Sequence, residues 1–234
     1  MQPAPHDFQD DLDMIAAIPA VGTILEVVCR TTGMRFAAVA RVTGDRWVCC
    51  ASKDDLEFGL APGGELWVET TICQEIRASG DPVAIDEVAR DAVFCGHPTP
   101  ALYGFQSYIS MPIMLEDGGF WGTLCAIDAA PHSLNNPAVT GMFRLLAQLI
   151  ATQIDLHRKL QVSEAANTRL AETFRAGLGH DLKNTLQAMD AGTRLLAKTP
   201  LNERGQLILG EMRNQVARLA AQVTQAMDAA APHN

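Results

Sequence analysis

Up to about residue 135 the chain consists of short apolar runs broken by Gly, Pro and Asp. Beyond that point punctuation almost vanishes until Thr199-Pro200. This contrast predicts an α+β unit followed by an all-helical one. Asp10 to Thr32 is a helix candidate despite Pro19. Met34 to Val42 and Arg46 to Ala51 read as two strands, with hairpin chemistry at Thr43-Gly44-Asp45 between them. A short helix is expected from Glu69 to Arg77, ended by Ser79-Gly80. Pro82 to Ile85 reads as a short strand, and Asp91 to Leu102, with Pro98 and Pro100, as a loop with a helical turn. Ser107 to Leu115 and Gly119 to Asp128 form a second hairpin across Glu116-Asp117-Gly118. The order of elements predicts an antiparallel sheet with helices packed on one face.

From Asn136 to Lys198 the chain reads as one helix. Met142, Leu146, Leu149, Leu156, Leu160, Leu170, Phe174 and Leu178 recur near a 3/4 spacing, interrupted by Gln153, Ser163 and Asn167. Such a stripe needs a partner, and a parallel homodimer along it is expected. The seam reads either as an imperfect coiled coil or as an element that changes register with the state of the first unit. A second helix is expected from Asn202 to Ala229, with Asn202 as N-cap and Glu203 in the first turn. Two antiparallel helices cannot hide both apolar faces, so two copies are expected to form a four-helix bundle.

Composition narrows the functional classes. The chain has 234 residues, 48% of them hydrophobic, and a formal net charge of −9. That balance argues against nucleic acid and against an anionic membrane surface as partners. No apolar run is long enough for a transmembrane helix, and the acidic, Pro-containing start does not resemble a secretory signal. Cys29, Cys49, Cys50, Cys73, Cys95 and Cys125 are scattered and form no CxxC pair. They read as reduced, mainly buried thiols of a cytoplasmic protein, with no zinc site expected.

Two stretches resemble known families. Tyr103-Gly104-Phe105-Gln106-Ser107-Tyr108, Met111-Pro112-Ile113 and Gly119 to Asp128, with Gly122-Thr123-Leu124 inside it, resemble the C-terminal half of a GAF domain. The likeness covers roughly residues 15 to 155 and implies a ligand-sensing or regulatory α+β domain. Independently of the family, Gly122 would let a strand pass close to its neighbour. Leu178 to Leu186 resembles the H-box of sensor histidine kinases, H-[ED]-[LI]-[RK]-[NT]-P-L. Six of the seven positions from His180 to Leu186 are met, with Thr185 in place of proline. The characteristic kink of that helix is therefore expected to be absent or softened.

The second resemblance implies a phosphoacceptor at His180. A neutral imidazole is a fair nucleophile near pH 7. Its Nε2 would attack the γ-phosphoryl of ATP, while Asp181 accepts the Nδ1 proton and holds the tautomer. Asn184, one helical turn on, would orient a water for dephosphorylation of a partner. That partner is implied to be a response-regulator receiver domain, docking near Leu182, Leu186 and Met189. No ATP-binding segment follows the hairpin, and no P-loop is present. ATP is thus expected only through a histidine-kinase ATP-binding domain acting in trans or a missing domain.

The implied organisation is a tail at 1–14, a GAF sensor domain at 15–155, a coiled-coil linker at 156–172, a dimerisation and phosphotransfer hairpin at 173–230 and a tail at 231–234. Three functional readings stay open. One is a two-component sensor module with output at His180. Another is a non-enzymatic dimeric regulator that binds a response regulator or kinase. The third is a bilin photosensor, since Cys95 in Phe94-Cys95-Gly96-His97 lies where bilin-binding GAF domains carry their attachment cysteine. The Asn-Lys-Phe-Asp-Glu signature of nucleotide-binding GAF domains is missing. A small apolar-lined cavity, empty or filled by an unassigned metabolite, is the expectation otherwise.

Overall fold

The structure, a computed structural model, describes residues 7–229; the side chains at 171, 174–181 and 226–229 lie outside the described set. The chain divides into two compact units, Met1–Leu160 and Gln161–Asn234.

The first unit is built on a six-stranded, wholly antiparallel sheet. Its strands are β1 (Phe36–Val42), β2 (Arg46–Asp54), β3 (Glu65–Trp67), β4 (Val83–Ile85), β5 (Ser107–Met114) and β6 (Phe120–Asp128), in the order β3-β2-β1-β6-β5-β4. Both expected hairpins form. β3 was not legible because it has only three residues, two of them exposed, and pairs at the sheet edge.

Helices cover both faces, which corrects the one-face expectation. One face carries α1 (Gln9–Ala16), α2 (Ala20–Thr32) and the first turns of α5 (Pro137–Leu196). Met14, Ile15, Ile24, Leu25 and Val28 pack there against Val39, Ile109, Leu124 and Ala126. The other face carries α3 (Cys73–Ser79) against β1, β5 and β6, with α4 (Pro98–Tyr103) further along the chain. The sheet is therefore apolar on both sides, and alternate residues of β6 serve different cores: Leu124 and Ala126 one, Cys125 and Ile127 the other.

The single helix expected over Asp10 to Thr32 is two helices, bent by 77° at Pro19. Proline cannot donate the helical hydrogen bond, and the break lets both segments lie along the sheet. The helix expected from Glu69 begins instead as a 3-10 turn at Val68–Thr70, and α3 proper starts at Cys73.

Gly122 has the role anticipated for it. A Cβ there would fall 2.0 Å from the Ala40 carbonyl oxygen of β1. Next to it the β5–β6 register shifts, pairing Ile113 with Gly122 and Met114 with Phe120. Trp121 is left as the extra residue, and its buried ring joins the α1/α2 core. There its Nε1–H donates to Asp11 at 3.3 Å, and Arg41 lies over the ring while donating to Asp11 at 3.2 Å.

α5 runs unbroken through Thr185, so no helical break marks the missing proline. Its core face is Phe143, Ala147, Ile150, Ala151 and Ile154, all buried. The stripe named from the sequence lies one position round the helix from this face. Met142 and Leu146 pack at the core margin, whereas Leu149, Leu156, Leu160 and Leu170 are exposed. A 3/4 pattern alone does not distinguish a face that packs on its own sheet from one beside it.

In the second unit α5 continues and α6 (Glu203–Ala229) follows. Asn202 acts as the N-cap, its Oδ1 accepting from Gly205 N–H at 2.9 Å. Leu209, Val216 and Thr193 are buried within this unit.

Candidate functional site

Between the sheet and the α3/α4 side lies a cavity of about 40 Å³. Trp47 from β2, Phe36 from β1, Cys125 and Ile127 from β6 and Tyr108 from β5 form its floor. Ile72, Cys73, Thr99, Tyr103 and Phe58 close it. The strand pleat explains the selection, because these sheet residues share the face opposite α1, α2 and α5. None of the lining side chains is charged.

The polar groups in this wall are mostly paired. The Tyr108 hydroxyl lies 3.4 Å from Cys73 Sγ, and the same sulfur is 3.4 Å from Thr123 Oγ1. Thr99 Oγ1 donates to the Thr70 carbonyl at 2.8 Å, and the Tyr103 hydroxyl meets Thr70 Oγ1 at 2.6 Å. Burial pushes the Tyr108 phenol and the Cys125 thiol well above their ordinary ranges, and raises Cys49 to about 11. The Tyr108 phenol and the Cys125 and Cys49 thiols are therefore protonated and uncharged near pH 7.

Two polar clusters tie the sheet to α5. At the end of β6 the buried Asp128 carboxylate accepts from Arg35 N–H at 3.0 Å, Arg35 Nε at 3.0 Å, Arg35 Nη2 at 2.8 Å and Ala130 N–H at 2.8 Å. Burial alone would raise its pKa, but these donors outweigh it and bring the carboxyl down to about 2. Asp86 then accepts from Leu134 and Asn135 N–H at 2.6 and 2.7 Å, and Asn136 Oδ1 accepts from Val139 N–H at 3.0 Å. The segment entering α5 is pinned at every step. At the other end of the domain the β5–β6 turn grips α5. Glu116 N–H donates to Asp155 at 2.9 Å, and the Glu116 carboxylate pairs with Lys159.

The residues named from the sequence fall in two places. His180 and Asp181 lie on α5, but their side chains are outside the described residues. Asn184 is exposed one turn on. Leu182 and Met189 are exposed as well, and Leu186 lines a groove of about 430 Å³ with Val216, Ala220 and Val223 of α6. Cys95 is an exposed free thiol in the loop before α4 and is not part of the cavity wall; the other five cysteines are buried and free. Among the described residues no group of three His, Cys, Asp or Glu side chains is placed to hold a metal ion. No single helix among them is long and apolar enough to cross a membrane.

Residues 18–154 match the GAF domain family, more than half of the chain. The chain belongs to the GAF family. Solved GAF-type structures share its fold. The chromophore-binding domain of an unusual bacteriophytochrome from R. palustris superposes with a TM-score of 0.54 at 16% identity, over 65% of this chain and 59% of that one. The blue-light absorbing form of the PixJ GAF domain of Thermosynechococcus elongatus gives 0.52 at 11% identity, over 70% of this chain and 96% of that one. At these identities the likeness concerns the fold alone. No curated protein sequence matches the chain. GAF domains are sensory and regulatory, and the domain here places its cavity on one face of the sheet and its long helix on the other.

Sequence reading missed Trp47, Cys73 and Tyr108 as one cavity, and Arg35 with Asp128. For the cavity a signal existed: Trp47 and Cys49 alternate in β2 as Tyr108 does in β5, so both project to one face. For Arg35 and Asp128, 93 residues apart, there was none.

Proposed function

We propose that the chain is the input and phosphoacceptor part of a two-component signalling system. The GAF domain senses through its sheet-face cavity, and α5 passes its state to a dimeric hairpin in which His180 exchanges a phosphoryl group with a receiver domain. One observation carries this reading. The helix that supplies Phe143, Ile150 and Ile154 to the GAF core is the same continuous helix that bears the sequence His180-Asp181-Leu182-Lys183-Asn184. A displacement of the sheet against that core acts on the backbone that holds the histidine, with no intervening loop.

The exposed leucines of α5 fit the dimer seam. Leu156 and Leu160 are 60% and 57% exposed, and Leu170 continues the row. Large apolar side chains in series on a helix favour burial against a partner, here a second copy in parallel. The groove between α5 and α6 would take the partner's helices in a four-helix bundle.

In the phosphotransfer step His180 Nε2 bonds to the phosphorus as the bond to the ADP leaving group, or to the receiver carboxylate, breaks. Asp181 accepts the Nδ1 proton, which keeps the phosphorylated imidazole neutral, and Asn184 aligns water for hydrolysis of the receiver's acyl phosphate. Incubation with the ATP-binding domain of a histidine kinase and labelled ATP is expected to give an acid-labile label that His180→Gln abolishes. Absence of label from every such domain and from phosphorylated receivers would favour a regulator that binds without phosphotransfer.

A further inference from the structure

We infer that the sheet-face cavity takes a small, neutral, largely apolar molecule with one hydrogen-bond acceptor, which enters past Phe58 and accepts from the indole N–H of Trp47. This rests on the sensor reading above and gives that sensor a ligand class.

Three observations lead there. The wall is largely aromatic and aliphatic, with no charged side chain, so a carboxylate or ammonium would lose its hydration without gaining a countercharge. Trp47 is 3% exposed, and its Nε1–H has no acceptor among the described residues. A buried N–H left unpaired is costly and uncommon. The other polar groups of the wall are engaged: Thr71 Oγ1 with the Val68 carbonyl, Thr99 and Tyr103 with Thr70, Tyr108 with Cys73, and Cys125 with the Ala38 carbonyl. A ligand's acceptor would therefore find its donor at Trp47.

The third observation concerns entry. A volume of about 40 Å³ holds only a few water-sized bodies, so a larger guest must move part of the wall. Phe58, Leu60, Leu66 and Tyr103 line both this cavity and an outer groove of about 530 Å³. The barrier between the two is thus a layer of side chains, centred on a Phe58 ring between Phe36 and Tyr103. Phe58 lies on segment 55–64, which has no regular structure and includes Glu57 at φ 60. The Asp54 carboxylate holds that segment, accepting from Leu56, Phe58 and Gly59 N–H at 3.1, 3.0 and 2.8 Å. Both ends of the segment are tied to the sheet, through Asp55 N–H to the Arg35 carbonyl, Ser52 Oγ to the Leu60 carbonyl and Gly63 N–H to the Cys49 carbonyl. The part of the wall left to swing outward is the short stretch 56–59 that carries Phe58 and hangs on Asp54.

The test uses the full chain labelled with ¹⁵N and follows the indole N–H resonances, with that of Trp47 assigned by its loss in Trp47→Phe. The probes are cyclopentanone, cyclopentane and cyclopentanecarboxylate. Cyclopentanone is expected to move the Trp47 resonance downfield and leave those of Trp67 and Trp121 in place. Cyclopentane is expected to bind about tenfold more weakly, without the downfield shift. The carboxylate is expected to leave the spectrum unchanged. Phe58→Ala should speed exchange of the ketone, and Trp47→Phe should abolish the preference for ketone over hydrocarbon. A Trp47 resonance unmoved by the ketone in both the parent chain and Phe58→Ala would overturn the inference, as would tighter binding of the carboxylate. Labelling of His180 on the same preparation separates the two proposals. A responsive Trp47 with an unlabelled His180 fails the output reading, and a silent Trp47 with a labelled His180 fails this one.

Discussion

Replacing Asp128 by Asn removes the charge on which the entry to α5 is pinned. The carboxylate is fully buried and accepts four hydrogen bonds, three from Arg35 and one from Ala130. Held at about 2 rather than 3.8, its ionised form stabilises the folded domain by about 2 kcal/mol at neutral pH. The guanidinium of Arg35 is half-exposed and can return to water, so the loss on substitution stays near that figure and below the cost of stranding a buried cation. The sign follows from the lowered pKa. The contribution is complete above the unfolded pKa near 4, falls as the pH drops from there through 2, and is gone below both values. Urea unfolding followed by emission of the buried Trp47 and Trp121 measures it. At pH 7 the Asp128→Asn midpoint should fall by about 1 M. At pH 2 the two proteins should nearly coincide, with the parent showing the steeper loss between pH 5 and 2. Equal midpoints at pH 7, or identical pH dependence, would refute the reasoning.

Other expectations address different links. Gly122→Ala would place a methyl 2.0 Å from the Ala40 carbonyl oxygen, a backbone atom that cannot rotate away. It should cost more than the usual overpacking of about 1–3 kcal/mol and disrupt β1–β6 pairing, read as lost soluble protein or a collapsed melting temperature. Asp155→Ala should speed hydrogen exchange of the Glu116 amide, which donates to that carboxylate, while leaving the amides of central β1 protected. If the exposed α5 leucines form the dimer seam, Leu156→Arg with Leu160→Arg should halve the mass measured by light scattering without altering the GAF-domain tryptophan emission.

The legibility of this fold followed the range of the interactions. Both hairpins, the long α5 and the Asn202 cap depend on neighbours within a few residues, and their turn and capping chemistry was visible. Gly122 was legible because a glycine inside a strand has few other uses. The bend at Pro19 was present in the sequence, but a helix was expected through it because the apolar pattern continues on both sides. The placement of helices on both faces depends on both sides of each central strand being apolar, as in Phe36-Ala37-Ala38-Val39-Ala40, where no alternation reveals a solvent side. The α5 stripe was displaced because Leu149, Leu156 and Leu160 are larger and more regular than the true core face, which includes Ala147 and Ala151. At the candidate sites, His180, Asp181 and Asn184 were named from a local motif, whereas the cavity joins residues from seven separate elements.

Passage of a phosphoryl group through His180, as proposed above, is read from the intact mass of the full chain after incubation with a phosphorylated receiver domain, before and after mild acid. The expected result is a gain of one phosphoryl group that acid removes and that His180→Gln does not show. An unchanged mass with every receiver tried, or a gain that survives acid or persists in His180→Gln, would contradict it.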